Sequence, residues 1–184
     1  LEELYADIGI GKRLATLEAR AVALIVNGKP IAAKIMPRLA PVLIRGDERS
    51  AISYAPCCHP IPGDKIMGHL RGGHGLVLHR SGCKTANRQR DRDPEHFIDV
   101  RWADDLKGDF RVDVELEVAP GPGILGLVAA EIAACDSNIV DVSMDENDTT
   151  AHLRFGVQLK DRSDLAKLMR KLRNLPKVTE VRRA

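Results

Sequence analysis

The chain has 184 residues, of which 44% are hydrophobic and 29% are charged, and its formal net charge is +2. This composition is typical of a soluble protein of about one or two domains, and the near balance of charge excludes a strong overall field for nucleic acid or membrane. No apolar run approaches the roughly 18 residues of a membrane span, and no charged-then-apolar leader opens the chain. We therefore expect a cytoplasmic protein, and we interpret a start that lacks Met and lies inside a helical pattern as that of a fragment.

Residues 1–49 indicate a helical segment followed by a connector. The first nine residues end on Gly9, and apolar residues then recur near a period of 3.6 from Leu14 to Ile25. Three prolines between residues 30 and 41 interrupt this pattern, because proline removes a backbone donor that a helix needs.

Residues 50–106 have the composition of a small β-rich domain. Two short strands are predicted over KIMGHL and GLVLH, joined by the Gly-Gly hairpin signal RGGH, and a third over FIDVRW. Ser81 is a candidate cap for a short helix between the second and third of these strands. A domain of about 50 residues is often too small to be stable without an additional cross-link. A bound metal would supply such a cross-link.

Four cysteines are too few for a secreted disulfide scaffold in a chain of this length. Cys135 lies in an apolar run and is predicted to be a small buried residue. Cys57, Cys58 and Cys83 share one window rich in Gly, Pro and His, where metal binding and plain burial are both open. Consecutive side chains of an extended chain point to opposite faces, so the adjacent pair is poorly arranged for one metal. A redox role for this pair is disfavoured, because it lacks the two-residue spacer of the usual redox motif.

Residues 107–184 predict a β-α-β-β-α-β order. The stretch FRVDVELEVA alternates apolar and polar residues, which indicates a strand with one buried side. A turn leads into a helix with a stripe of Ile124, Val128 and Ile132. Two strands over NIVDVSM and AHLRFGVQL, a helix over RSDLAKLMRKLRNL and a final strand over VTEVRR follow. This is the order of a ferredoxin-like unit with both helices on one face of an antiparallel sheet, so the whole chain is predicted to be α+β.

Two functions of such a unit need to be compared. RNA binding uses aromatic residues on the central strands, but aromatic content is 3% and the predicted third strand has Phe155 alone. Small-molecule sensing uses the loop before the first helix, here APGPGILG. Glycines allow close approach there, and N–H groups at a helix start favour a carboxylate. A tight turn into a helix explains Gly121 and Gly123 equally well.

A resemblance to a known family is carried by the string YAPCCHPIPGDKIMGHLRGGHGLVLHRSGC. It is similar to the zinc-finger, or conserved-cysteine, domain in the C-terminal half of long RelA/SpoT homologues, the stringent-response enzymes that make and hydrolyse (p)ppGpp. The preceding helical segment of that family resembles LEELYADIGIGKR, and its terminal ACT domain resembles SNIVDVSM and LMRKLRNLPKVTEVRR. The resemblance covers essentially the whole chain. It implies a helical segment and connector over 1–49, a conserved-cysteine domain over 50–106 and an ACT domain over 107–184.

The resemblance also implies a zinc site formed by Cys57, Cys58, His79 and Cys83. His79 and Cys83 lie four residues apart at a strand-to-helix junction, a spacing that suits one tetrahedral ion. One of the adjacent cysteines would face them, while the other is packed or held in reserve. Because Gly82 stands where some relatives have an acidic residue, the fourth ligand is unassigned. A metal-free buried cluster of three thiols and a histidine is the alternative.

The ACT resemblance implies an amino-acid effector and a homodimer through residues 110–184. The effector would lie between the loop after the first strand and the start of the second strand of a partner unit. Those positions are Pro120, Gly121, Pro122, Gly123, Ile124, Leu125, Asn138, Ile139 and Val140. Their lining contains few charged groups and is rich in Ile, Leu and Val, which favours valine or isoleucine and disfavours charged amino acids.

The catalytic motifs of this family lie in its N-terminal half, and none is visible in this chain, so we expect no catalytic centre. The resemblance predicts a regulatory fragment of a bifunctional (p)ppGpp synthetase/hydrolase, whose ACT domain biases the absent catalytic half. The alternative is a ribosome or tRNA docking module without a small-molecule ligand. Its basic residues would be Arg71, Arg80, Lys84, Arg88 and Arg90. The acidic residues Asp91, Asp93 and Glu95 that follow them suggest instead a solvated face.

Overall fold

The computed structural model describes residues 25–26, 29–30, 41–45, 52–71, 75–104, 106, 108–147 and 149–184. The chain divides into two units. The first contains the described residues up to Cys57 together with Lys65–Leu106, and the second contains Cys58–Asp64 together with Lys107–Ala184. Within these ranges, no helix has both the length and the apolar character needed to cross a membrane.

The first unit is built mainly of short strands. Its elements are β1 (Ile25–Val26), β2 (Lys29–Pro30), β3 (Val42–Ile44), β4 (Ile52–Tyr54), β5 (Ile66–Arg71), β6 (Gly75–Arg80), helix α1 (Lys84–Arg92), a 3₁₀ turn (Pro94–His96) and β7 (Phe97–Trp102). Strands β1 and β2 pair with each other, and the other five form a sheet in the order β3-β7-β5-β6-β4. The pairs β3–β7 and β4–β6 are parallel, whereas β5 pairs antiparallel with both β6 and β7.

The core of this sheet is aliphatic. Its buried members are Ile44, Ile52, Leu76, Leu78 and Val100. Gly68 of β5 has no room for a side chain, because a Cβ atom there would come within 2.6 Å of Leu76 Cδ1. Close packing of this kind tolerates little added volume, so a side chain at Gly68 would force these neighbouring side chains to move.

The three strands predicted over residues 65–102 are confirmed, and two local predictions are wrong. Helix α1 begins after Cys83, which occupies the N-cap position, and not after Ser81. Ile25 and Val26 form a strand paired with Lys29 and Pro30 where the 3.6-residue period predicts a helix. A two-strand hairpin satisfies backbone groups by local pairing, which outweighs a weak helical preference. The rest of the predicted helical segment lies outside the described residues.

The second unit has the predicted β-α-β-β-α-β order. Its elements are β8 (Phe110–Val118), α2 (Ile124–Ala133), β9 (Asn138–Glu146), β10 (Ala151–Leu159), α3 (Arg162–Arg173) and β11 (Val178–Arg183). The strands form an antiparallel sheet in the order β11-β8-β10-β9. This arrangement confirms the ferredoxin-like unit.

The two faces of this sheet differ in chemistry. One face buries Val112, Val114 and Leu116 of β8 and Leu153 and Phe155 of β10. Helices α2 and α3 contribute their own buried stripes, Val128 and Ile132 from α2 and Leu165, Leu168 and Leu172 from α3. Alternation places the charged residues of β8 and β10 on the opposite face, which is therefore polar.

Strand β9 is an edge of the sheet and is almost fully solvent-exposed. Its pairing with β10 shifts between Gly156 and Val157, which leaves Val140 as an extra residue. Such a β-bulge locally redirects side chains and is common next to functional sites. The bulge falls inside the stretch predicted to bind an effector.

Candidate functional site

The structure brings together the four residues predicted to bind zinc. We call Cys57, Cys58, His79 and Cys83 the cysteine cluster. One potential ligand atom from each of them lies within 4.8 Å of all the others. The Cys57 Sγ atom is 3.5 Å from His79 Nδ1 and 3.6 Å from Cys83 Sγ. Cys57 is exposed, whereas the other three residues are buried.

Both adjacent cysteines belong to the cluster, so the prediction that only one faces His79 and Cys83 is wrong. That prediction assumed an extended chain. Residues 56–58 form a turn after β4, and His59 follows with a positive φ of 37°. Alternation of side chains holds only for extended backbone, so neighbouring residues in this turn can point to one centre. The second cysteine is therefore a candidate for the unassigned fourth ligand.

The spacing of these atoms fits a tetrahedral zinc site. Sulfur atoms about 2.3 Å from a zinc ion at tetrahedral angles lie about 3.8 Å apart. The sulfur atoms of Cys57 and Cys83 are 3.6 Å apart, close to this value, and the four candidate ligand atoms all lie within 4.8 Å of one another, so the cluster is compatible with a zinc site. Three sulfur atoms and one imidazole nitrogen form a common ligand set for structural zinc.

Burial lowers the pKa of His79 below its usual value, and the nearby His69 and Arg71 lower it further. The imidazole is therefore neutral at pH 7, the form that binds a metal. Its position is fixed by β6, where it pairs with Met67 of β5.

A short segment that begins at the second cysteine of the pair is held by ion pairs and hydrogen bonds within the second unit. In this segment, residues 58–64, Arg183 donates to both carboxylate oxygens of Asp64, at 2.9 and 2.7 Å, and to the carbonyl oxygen of His59 at 2.7 Å. The backbone N–H of Arg162 donates to the Pro62 carbonyl at 2.9 Å. Gly63 has a φ of 89°, which disfavours any side chain. The PIPGD motif thus encodes a fixed turn.

The polar face of the second sheet carries a network of ion pairs centred on Asp113. This buried carboxylate lies 3.2 Å from Arg111 Nε, 3.2 Å from Arg154 Nη2 and 3.8 Å from His59 Nε2. Arg111 also reaches Asp141 at 2.7 Å, and it does so across Gly156, where a Cβ atom would come within 2.6 Å of the Asp141 carboxylate. Burial is the main cause that lowers the pKa of His59, although Asp113 opposes it.

The predicted effector residues occupy two stretches of the second unit. Pro120 to Gly123 form the loop between β8 and α2, and Gly123 is the N-cap of α2 with a φ of 80°. Ile124 is buried in the core, whereas Leu125 and Val140 are exposed. Asn138 donates from its amide nitrogen to Gln158 at 2.9 Å, which leaves its amide oxygen as an acceptor. Among the hydrogen bonds of residues 108–147 and 149–184, none joins the loop to the stretch 138–140.

Lys177 is a residue of this region that the sequence patterns did not indicate. Its ammonium group lies beside Gly121, where even a methyl group would come within 2.8 Å of it. Its carbonyl oxygen accepts a hydrogen bond from the Ala119 N–H at 2.8 Å. The two residues are brought together only by the pairing of β11 with β8, a long-range contact that local patterns do not report.

Two family models match the chain. Residues 42–103 match the RelA/SpoT RIS domain, and residues 106–183 match the ACT domain. The first match contains the whole cysteine cluster, and the second contains the whole β-α-β-β-α-β unit.

The chain is also similar to curated proteins and to a solved structure. It is 32% identical over 184 residues to the bifunctional (p)ppGpp synthase/hydrolase SpoT of Escherichia coli (strain K12), a match that covers 100% of this chain and 26% of SpoT. It is 34% identical over 145 residues to a GTP pyrophosphokinase of Myxococcus xanthus, covering 77% of this chain and 18% of that protein. The ACT domain from GTP pyrophosphokinase of Chlorobium tepidum matches 42% of this chain and 100% of its own, with 23% identity and a TM-score of 0.39.

Proposed function

Since this chain belongs to the RelA/SpoT homologues and corresponds to their C-terminal regulatory region, we propose that its ACT domain binds an amino acid and thereby biases a cytoplasmic (p)ppGpp synthetase/hydrolase. The chain itself supplies regulation and no catalytic centre. A ligand biases an enzyme only if it binds two states of that enzyme with different affinity. The effector must therefore stabilise one arrangement of the catalytic half over another.

The observation that carries this proposal is the loop at the start of α2. Gly123 leaves open space where a side chain would stand, and the first N–H groups of a helix have no partner inside the helix. Such a helix start attracts a carboxylate. The ammonium group of Lys177 beside this loop adds a positive charge in the same place, so the carboxylate of an amino acid would be bound from two sides.

The remaining contacts favour a small branched side chain. In the proposed site the loop of one unit would face residues 138–140 of a partner unit. Leu125 and Val140, both exposed, would provide apolar contacts there, and the amide oxygen of Asn138 can accept a hydrogen bond from the ammonium group of the ligand. A charged side chain against apolar walls would lose several kcal/mol of hydration. Valine and isoleucine are therefore the proposed effectors.

Calorimetric titration tests this proposal. We expect valine and isoleucine to release heat on binding, and lysine and aspartate to bind far more weakly. Lys177→Met should weaken valine binding by about tenfold or more, since a hydrogen bond to a charged group contributes roughly 1.5–3 kcal/mol. Lys167→Gln is the matched control, because Lys167 is exposed on α3 and pairs with Asp164.

Two outcomes would contradict the amino-acid proposal. One is the absence of heat with both branched amino acids, and the other is equal binding of lysine. Either result would leave the second unit as a dimerisation or docking module.

We also propose that the second unit forms a homodimer through β9. Val140, Val142 and Met144 are 47%, 47% and 41% exposed on this edge strand, whose outer backbone groups are unpaired within the sheet. An antiparallel pair of β9 strands with Val142 on the twofold axis would place Met144 opposite Val140 and Asp141 opposite Ser143. That register covers the apolar side chains and opposes no two carboxylates.

Sedimentation equilibrium checks this interface. The wild-type chain should show a mass that rises with concentration towards that of a dimer, and Val142→Lys should remain monomeric, because two lysines would meet on the axis. His152→Lys, an exposed change on the neighbouring strand, should leave the dimer intact. A wild-type mass that stays monomeric at every concentration tested contradicts the proposal.

We propose that the cysteine cluster binds a zinc ion with Cys57, Cys58, His79 and Cys83 as ligands. When bound, zinc would supply structural cross-linking and no catalytic chemistry, because four protein ligands leave no open position. The cluster joins the end of β4, strand β6 and the start of α1, which are separated along the chain. A ligand set of this kind stabilises small domains that have a limited core.

A ribosome or tRNA docking role remains the second candidate function, and one observation favours it. Helix α1 exposes Lys84, Arg88 and Arg90, and the rings of Tyr54 and Trp102 stack at 6.2 Å elsewhere in the same unit. Basic side chains can contact the phosphates of RNA, and exposed aromatic rings can stack on its bases. Fluorescence anisotropy with labelled RNA separates the candidates: affinity that falls steeply with salt supports docking, whereas a response to valine without RNA binding supports sensing.

A further inference from the structure

Two thiols of the cysteine cluster are in direct contact in a part of the chain that peroxide can reach. The sulfur atoms of Cys57 and Cys83 are 3.6 Å apart, and Cys57 is exposed to solvent. All four cysteines of the chain are described, and none of them forms a disulfide. A disulfide has an S–S distance of about 2.05 Å, so closing this pair requires an approach of about 1.6 Å.

Neither residue lies inside a helix or a strand. Cys57 lies in the turn that follows β4, and Cys83 lies between β6 and α1 at the N-cap position. The Cys83 side chain makes no capping hydrogen bond to helix α1, so rotating it would break no such bond. The partners differ in access: peroxide can meet Cys57 directly, whereas Cys83 is 6% exposed.

We propose that Cys57 and Cys83 are an oxidisable pair that closes to a disulfide when a peroxide reaches the cluster. The Cys57 thiolate attacks one peroxide oxygen, the O–O bond breaks, and the departing hydroxide takes a proton to become water. Cys57 then carries a sulfenic acid. The Cys83 thiolate attacks the Cys57 sulfur, the S–O bond breaks, and a second hydroxide leaves as water. Two thiols are oxidised to one disulfide, and one peroxide is reduced to two waters.

This reaction competes with metal binding. Zinc requires thiolate ligands, and the disulfide would remove two of the three sulfur ligands. Oxidation would therefore release zinc and leave Cys58 and His79 alone at the site. The expected release of zinc depends on the proposed zinc site, whereas the thiol chemistry depends only on the contact between Cys57 and Cys83.

Thiol mapping of the full chain tests the proposal. The reduced, metal-free protein is treated with hydrogen peroxide, alkylated, digested and analysed by mass spectrometry. We expect two of the four thiols to become resistant to alkylation, and a linked peptide that joins Cys57 to Cys83. Cys58→Ala should still form this bond, and Cys57→Ala should not. A zinc-loaded sample should release its metal to a chromogenic chelator as the bond forms.

Several results would overturn the proposal. These are four alkylatable thiols after treatment, a linked peptide that contains Cys58 in place of Cys57, or accumulation of sulfinic acid at Cys57 without a disulfide. The mapping uses the wild-type chain, so it stays informative even if a cysteine variant fails to fold. A disulfide in a chain that never binds zinc would uphold the thiol chemistry and reject the metal site, which keeps the two failures distinct.

Discussion

Replacing Cys83 with alanine is expected to reduce bound zinc from nearly one equivalent to a small fraction of that. Cys83 is buried, and its sulfur lies 3.6 Å from that of Cys57, so no exposed side chain can easily replace it. Three remaining ligands bind zinc far more weakly than four, because each thiolate adds directly to the affinity of a structural site. Elemental analysis of protein purified without chelator measures the change.

The control for this experiment is Cys135→Ala. Cys135 follows helix α2 in the second unit and is not a member of the cysteine cluster, so its loss should leave the zinc content unchanged. Removing metal from the wild type with a chelator should also lower the thermal stability of the first unit, since binding free energy contributes to folding free energy. Substoichiometric metal that does not respond to Cys83→Ala would leave a packed, metal-free cluster as the only interpretation.

Replacing Arg183 with alanine is expected to lower the free energy of unfolding of the second unit by about 3 kcal/mol. The Arg183 and Asp64 side chains are 11% and 7% exposed, and the guanidinium binds the carboxylate through two parallel hydrogen bonds. Losing Arg183 leaves the Asp64 carboxylate buried without its opposing charge, although the Ile61 N–H still donates to it at 3.0 Å, and removing one partner of a buried ion pair is costly. Hydrogen exchange of the β8 and β11 amides during urea titration measures the loss.

Arg182 is a matched control for Arg183. It is the preceding residue, and it also pairs with a carboxylate, Glu115, at 2.7 Å. Its side chain is 62% exposed, and surface ion pairs of this kind contribute little to stability. Arg183→Lys should lose part of the stability, because lysine keeps the charge but not the two-pronged geometry. Equal effects of the two alanine variants would contradict the assigned role of Arg183.

Local patterns in the sequence predicted most of the second unit. Alternation along β8 and the helical stripes of α2 and α3 each depend on residues a few positions apart, so the chain can be interpreted segment by segment. Strands β3 and β4 were missed for the opposite reason. Each has three residues and obtains its stability from parallel pairing with β7 or β6, distant along the chain. Such pairing produces no repeating pattern of apolar residues in the local sequence.

In the candidate sites, too, features that depend on local motifs were predicted, whereas features that depend on long-range contacts were missed. The cysteine cluster was predicted from a motif, but the part played by both Cys57 and Cys58 depended on a turn whose shape no residue type determines alone. Lys177 and Arg183 were missed because their partners lie more than 50 residues away. Their charges are ordinary in the sequence. Only the folded sheet shows that one lies beside a loop and the other is buried.

The placement of segment 58–64 has a consequence for anyone who wishes to isolate the ACT domain. A fragment cut at residue 107 would include every strand and helix of the second unit and yet omit seven residues that belong to it. Arg183 would lose Asp64 and the carbonyl of His59, and Asp113 would lose its histidine neighbour. The excised fragment would therefore carry the Arg183 guanidinium without its carboxylate partner, whereas Asp113 would keep Arg111 and Arg154. Its solubility, its stability and any affinity for effectors would be those of an incomplete domain, whereas a version that restores CHPIPGD through a linker should behave as the intact one.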